Sequence, residues 1–305
     1  MTLARAVDRE GSEPGLPGTV VRRIRAVEIK ARILADEALL GTYRSVFRGS
    51  GLEFEEVREY EPGDDIRSID WNVTARMGTP FIKKFREDRD LNIFLAVDVS
   101  ASSWFGSVPQ SKRELGAEVA ALLALTAMEN SDRVGLLRFA SGMQEWLPSR
   151  RGRDHLLRVI RELLYAEPRR TRTELAAAAR FLTNVTKKRS VVFLVSDFID
   201  VDLDASLRML GRKHDVIAVL LNDPRELELP DVGVVALEDA ETGRIAYVDT
   251  SDERLRADYA DAARRRRVER RRALGRLKID SVELFTDRPF VPALMAFFNA
   301  RTKRA

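Results

Sequence analysis

The segment Asp98-Val99-Ser100-Ala101-Ser102 sets one carboxylate and two hydroxyls at alternate positions. It closes the apolar run 91–99 (LNIFLAVDV), which reads as a buried strand. A second apolar run, 190–196 (SVVFLVS), is followed by Asp197, and between the two Thr173 opens the helical stretch Thr173-Glu174-Leu175. If both runs are parallel strands, their carboxyl ends share the edge at which open α/β sheets bind ligands. Asp98, Ser100, Ser102, Thr173 and Asp197 then form an oxygen-only donor set, which suits Mg²⁺, Ca²⁺ or Mn²⁺ and no soft metal. A plainer role stays open for each residue. Ser and Asp after a strand often cap the next helix, and Thr171 with Glu174 has capping-box spacing.

The elements that would position these residues alternate. Strands are expected at 91–99, 133–139, 190–196 and 216–221, with helices at 112–130, 153–165, 174–185 and 203–213. Apolar strands separated by helices imply a mostly parallel sheet covered on both faces, and right-handed crossovers make it a doubly wound α/β fold. A short edge strand is expected at 144–147, a hairpin at 232–237 and 245–248, and a long charged helix over 251–278. A strand at 282–285 and a helix over 289–303 end the chain. Before the alternation lie a loose tail (1–20), an amphipathic helix (21–40) and an aromatic-rich module of short strands (41–90).

Composition narrows the chemistry. The 305 residues are 45% hydrophobic and 33% charged, which fits a folded chain rather than a disordered one. There is no cysteine, so disulfides, thiol catalysis and Cys-ligated metals are excluded. The two histidines, His155 and His214, stand far apart and read as surface or helix-end residues. No His, Lys or Cys base stands beside the oxygen set in the sequence, so an activated nucleophile is not expected. No apolar run approaches the roughly 20 residues of a membrane span. The opening MTLARAVDREGSEPG lacks an apolar signal core, so a cytoplasmic location is expected.

The run Arg58-Glu59-Tyr60-Glu61-Pro62-Gly63-Asp64-Asp65-Ile66-Arg67-Ser68-Ile69-Asp70-Trp71, with Ala75-Arg76 and Lys84-Phe85 after it, resembles bacterial domain-of-unknown-function family fifty-eight. Asp98-x-Ser100-x-Ser102, Thr173-x-Leu175 and a later strand ending in Asp197 resemble the metal-ion-dependent adhesion site of the von Willebrand factor type A fold. The resemblance spans about residues 24–225. It implies tail 1–20, helix and family module 21–90, A-like domain 91–230, an inserted hairpin and Arg-rich helix 231–279, and the last A-like strand and helix 280–305. It also implies a metal held directly by Ser100, Ser102 and Thr173, and largely through water by Asp98 and Asp197, with Mg²⁺ preferred because it keeps several waters. The implied function is non-enzymatic: a protein-interaction module whose metal receives a partner's acidic residue. Family members are often encoded beside MoxR-type AAA+ ATPases, so the implied partner is such an ATPase, in protein assembly or maturation.

Two rivals are a metal-assisted phosphoesterase using Asp98 and Asp197, and a nucleic-acid binder using residues 264–272, which hold seven arginines. The first lacks a placed base. The second lacks interleaved aromatics, so nucleic acid is not favoured. The arginines are expected to be spread around a solvated helix and paired with Asp252, Glu253, Asp258 and Asp261 nearby and with the domain surface. Around Asp64-Asp65, a turn stapled by carboxylate–guanidinium pairs is expected, with Trp71 anchored in the core.

Overall fold

The computed structural model describes residues 26, 29, 31, 33, 37–47, 52–87, 91–164, 173–199, 205–239 and 242–304. The expected tail, the start of the helix at 21–40 and Thr171 of the capping box lie outside the described residues. Helix α1 is Glu37–Val46, and β1 (Leu52–Glu59), α2 (Trp71–Met77) and β2 (Phe81–Glu87) follow it.

The central sheet is built from β3 (Asn92–Asp98), β4 (Arg133–Phe139), β5 (Met143–Arg150), β6 (Val191–Ser196), β7 (Asp215–Asn222) and β10 (Asp280–Phe285). Its spatial order is β10-β7-β6-β3-β4-β5. All pairs are parallel except β4 with edge strand β5. This is the mostly parallel, doubly wound sheet expected from the alternation of strands and helices. From β3 the chain steps outward to β4 and β5, then returns to the other side of β3 for β6. The switch point therefore falls between β3 and β6, and a crevice opens at their carboxyl ends.

Side chains alternate across β3. Ile93, Leu95 and Val97 join one core with α3 (Lys112–Glu129), α4 (Arg153–Leu164), α8 (Val291–Thr302) and α1. Phe94 and Ala96 join the other with α5 (Leu175–Val185), α6 (Ala205–Lys213) and Leu274 of α7 (Glu253–Arg276). Helix α3 starts at a complete capping box between Ser111 and Glu114. The connection from β7 to β10 runs through the hairpin β8 (Val234–Glu238) and β9 (Ile245–Asp249) and then α7, which thus serves as a crossover helix. Helix α1 docks on the first core. Tyr43 Oη donates to the buried Asp132 carboxylate at 3.0 Å, and the Phe47 ring meets Phe298 and Phe193 with centroids 5.5 and 5.9 Å away.

The strands β1 and β2 pair antiparallel, and Asp65 and Asp70 cap the 3₁₀ turn Ile66–Ser68 and α2. Arg58 does staple Asp64, at 2.7 Å. Trp71 departs from expectation: it is 67% exposed, as the first residue after the Asp70 cap of a helix, α2, that buries none of its residues. His214 departs in the other direction and is buried, with neither ring nitrogen bonded among the described residues. Among the described residues, no helix is long and apolar enough to cross a membrane.

Candidate metal centre

Asp98 ends β3 with its carboxylate buried, and the chain turns at once into the 3₁₀ turn Ala101–Trp104. Asp98 Oδ1 accepts the Ser100 N–H at 2.9 Å. Its Oδ2 accepts the Thr173 hydroxyl at 3.1 Å and the Ser196 hydroxyl at 2.7 Å. Ser100 occupies a cap position but makes no side-chain cap bond. Its Oγ instead lies 3.2 Å from Ser102 Oγ and accepts from Thr173 Oγ1 at 2.8 Å. Thr173 is likewise no cap, since Glu174 precedes α5 and the Thr173 hydroxyl faces the cluster. Asp98, Ser100, Ser102 and Thr173 are thus brought together across a sequence separation of 75 residues.

Asp197 sits on the same rim but is differently engaged. Its Oδ2 accepts from Lys112 Nζ at 2.7 Å and its Oδ1 from the Ile199 N–H at 3.2 Å. Lys112 also donates to Glu226 Oε1 at 2.5 Å. Arg270 of α7 donates to the Asp197 carbonyl and, at 2.8 Å, to Asn222. After Asp197 the chain turns through Phe198, whose φ of +53° is unusual for a bulky residue and marks local strain at the rim.

The expectation that no lysine stands near the oxygen set is therefore corrected. Lys112 is the first residue of α3, reached through the loop that follows the 3₁₀ turn, and its side chain folds inward. One sequence signal marked it: a cation in a helix's first turn opposes the macrodipole and needs another reason to be there. Ser196, Glu226 and Arg270 are likewise rim residues that the sequence reading did not single out.

The electrostatics follow from burial. Burial lifts the Asp98 carboxyl above its usual range and the nearby Asp197 charge adds to this, while hydrogen bonds from Ser100 and Ser196 oppose it. Burial alone would depress the Lys112 ammonium, but Asp197 and Glu226 outweigh it and hold it above the ordinary lysine value. Lys112 is therefore a fixed cation, unsuited to act as a base. Glu226 is raised by its burial, against the pull of Lys112. Behind the rim, Asp223 accepts from Ser107 N and Oγ, Arg225 N and Thr286 Oγ1. Burial works to raise it, and these bonds together hold it below the usual range.

Among the described residues, no three His, Asp or Glu side chains stand close enough to hold a metal. A cation here would rest on one converging carboxylate and three hydroxyls, with Asp197 beside them. On α7, Arg264 pairs with Asp261, and Arg267 and Arg271 pair with Glu283 of β10 on the domain, both as expected. Of the arginines at 264–272, Arg266, Arg267 and Arg270 line one cavity, together with Arg276 further along α7.

A family model described as "Protein of unknown function DUF58" matches residues 56–269. An uncharacterized protein of Mycobacterium tuberculosis is 34% identical over 286 residues, covering 92% of this chain and 90% of its own. The uncharacterized protein YeaD of Bacillus subtilis is 28% identical over 110 residues, or 36% of this chain and 25% of its own. Among solved structures, an aerotolerance-related membrane protein from Bacteroides fragilis is 15% identical over 70% of this chain and 100% of its own, with a TM-score of 0.45. The SpRpn10 VWA domain is 11% identical over 69% of this chain and 94% of its own, with a TM-score of 0.37.

Proposed function

This chain belongs to the DUF58 family, and from that premise we propose that it is a non-catalytic interaction module whose rim cation receives a carboxylate from a partner protein. One observation carries the cation. The hydroxyl oxygens of Ser100, Ser102 and Thr173 are spaced at 3.2 and 2.8 Å. An octahedral Mg²⁺ sets neighbouring ligand oxygens about 2.9 Å apart, so the three hydroxyls would need little movement to ligate one. Mg²⁺ is preferred because it keeps several waters, which fits an indirect role for Asp197. Asp98 would complete the inner face of the site. Asp197 would act by charge or through water, because its oxygens already serve Lys112 and Ile199.

The charge balance supports recognition over chemistry. Lys112 and Arg270 offset much of the negative charge of Asp98, Asp197 and Glu226. A divalent ion would then be under-neutralised and attract an outside carboxylate. A unit-charge pair at about 4 Å is worth roughly 4 kcal/mol at an effective dielectric near 20, before desolvation. The family resemblance names the partner class, a MoxR-type AAA+ ATPase, and the chain would be its adaptor in protein assembly or maturation.

The test is capture of the MoxR-type ATPase from the same genome by the tagged full chain. Capture in Mg²⁺ that is lost with EDTA and in Ser100→Ala is the expected result. Equal capture in every arm removes the cation from the mechanism, and no capture removes the adaptor role.

A further inference from the structure

A cavity of about 700 Å³ opens between α7 and the carboxyl ends of β6 and β7. From α7 it is lined by Arg266, Arg267, Arg270 and Arg276, and from the sheet edge by Phe198, Ile199 and Leu227. Arg267 is committed to Glu283. For Arg266 and Arg276 no ion pair or hydrogen bond is found among the described residues. The Nε of Arg270 is buried and finds no acceptor among them either. A second cavity of about 470 Å³ lies under the hairpin, with Leu229, Leu237, Val248 and Leu255 on its walls. Tyr259 lines both, so the two meet at one side chain. The tyrosine is held in place by its hydroxyl, which donates to the Arg225 carbonyl at 3.1 Å.

We propose that this pair of cavities docks an acidic–apolar segment of a partner protein. One carboxylate enters between Arg266, Arg270 and Arg276, and an apolar side chain reaches past Tyr259 beneath the hairpin. Guanidinium groups hold a carboxylate through paired, charge-assisted hydrogen bonds. Volumes of this size match sites that bury a small ligand or a few side chains. Glu226 and Glu269 stand on the same wall as the arginines and lower its positive charge, which suits a single carboxylate better than a polyphosphate chain. The second cavity also carries Asp252, Arg254 and Asp258, which suit the backbone amides flanking an apolar side chain, whereas a fatty chain without amides would leave these charges unpaired. This docking site rests on the protein-interaction reading above but does not use its cation.

The test is fluorescence anisotropy of the full chain with a short fluorescein-labelled peptide of repeating Asp-Leu. A Lys-Leu peptide, a single-stranded oligonucleotide and dodecanoate serve as competing probes. The Asp-Leu peptide should bind and the Lys-Leu peptide should not, with no change on adding EDTA. Arg266→Ala/Arg276→Ala should weaken binding at least about tenfold, a readily measured difference. Arg266→Glu/Arg276→Glu should lose the Asp-Leu peptide and gain the Lys-Leu one. Both residues are exposed, so the variants should fold. Absent binding, equal affinity in the arginine variants, or tighter binding of oligonucleotide or dodecanoate overturns the proposal. Loss of peptide on adding EDTA also overturns it, while leaving the cation-dependent reading standing.

Discussion

Lys112 Nζ lies 2.7 Å from Asp197 Oδ2, with the two side chains only 1% and 3% exposed. An ion pair so deep gains from Coulomb attraction but loses the hydration of both charges. It persists because the ammonium also reaches Glu226 and Asp197 also takes a backbone N–H. The pair joins the start of α3 to the end of β6 at the switch point of the sheet, and it occupies Asp197 Oδ2.

Lys112→Met should therefore weaken the fold while strengthening cation binding. Removing one partner of a buried pair costs about 3–5 kcal/mol, because the other charge is left uncompensated. Urea unfolding should show this loss, with part of it recovered in Lys112→Met/Asp197→Asn. The freed Asp197 should raise the added stability from millimolar Mg²⁺ above that of the unmutated chain. An unchanged urea midpoint, or a smaller Mg²⁺ effect, contradicts the role given to Lys112.

Tyr43→Phe removes the hydroxyl that Asp132 accepts in the core and should cost about 1–3 kcal/mol, as for other hydrogen bonds to buried charged groups. Phe47→Ala should cost about 3–5 kcal/mol, since the ring packs between Phe193 and Phe298. Both are read from urea midpoints. Losses well below these values would mean that α1 docks only loosely on the sheet.

His214 contributes to the pH dependence of stability near neutrality. Burial first, then the charges of Lys213 and Arg189, depress its imidazole from 6.5 to about 4. The native side chain stays neutral where the unfolded one takes up a proton. Its contribution is thus whole above pH 6.5 and is lost progressively as the pH falls toward about 4. Urea midpoints at neutral and mildly acid pH should diverge less in His214→Leu than in the unmutated chain. Equal divergence rules out this assignment.

Local pattern revealed more of this molecule than long-range contact did. Strand β4 was legible because an apolar run between turn signals needs no tertiary context, and Ser100 and Ser102 because they follow Asp98 at alternate positions. Lys112, Ser196, Glu226 and Arg270 were hidden for the opposite reason. Each has an ordinary local role, as a helix start, a strand end, a turn residue or one arginine among many. Only the folding of α3, β6 and α7 onto one rim gives them a shared site. Trp71 misled because an aromatic beside paired charges reads as an anchor, whereas its place after the Asp70 cap turns it outward.

The central claim is a cation held by hydroxyls at the β3–β6 rim, and Mn²⁺ binding followed by electron paramagnetic resonance tests it most directly. The full chain should bind one Mn²⁺, displaceable by Mg²⁺, with an affinity weakened at least about tenfold in Thr173→Val, which keeps the side-chain shape and removes the ligand oxygen. No binding, or binding that Thr173→Val leaves unchanged, would show that these oxygens hold one another rather than a metal.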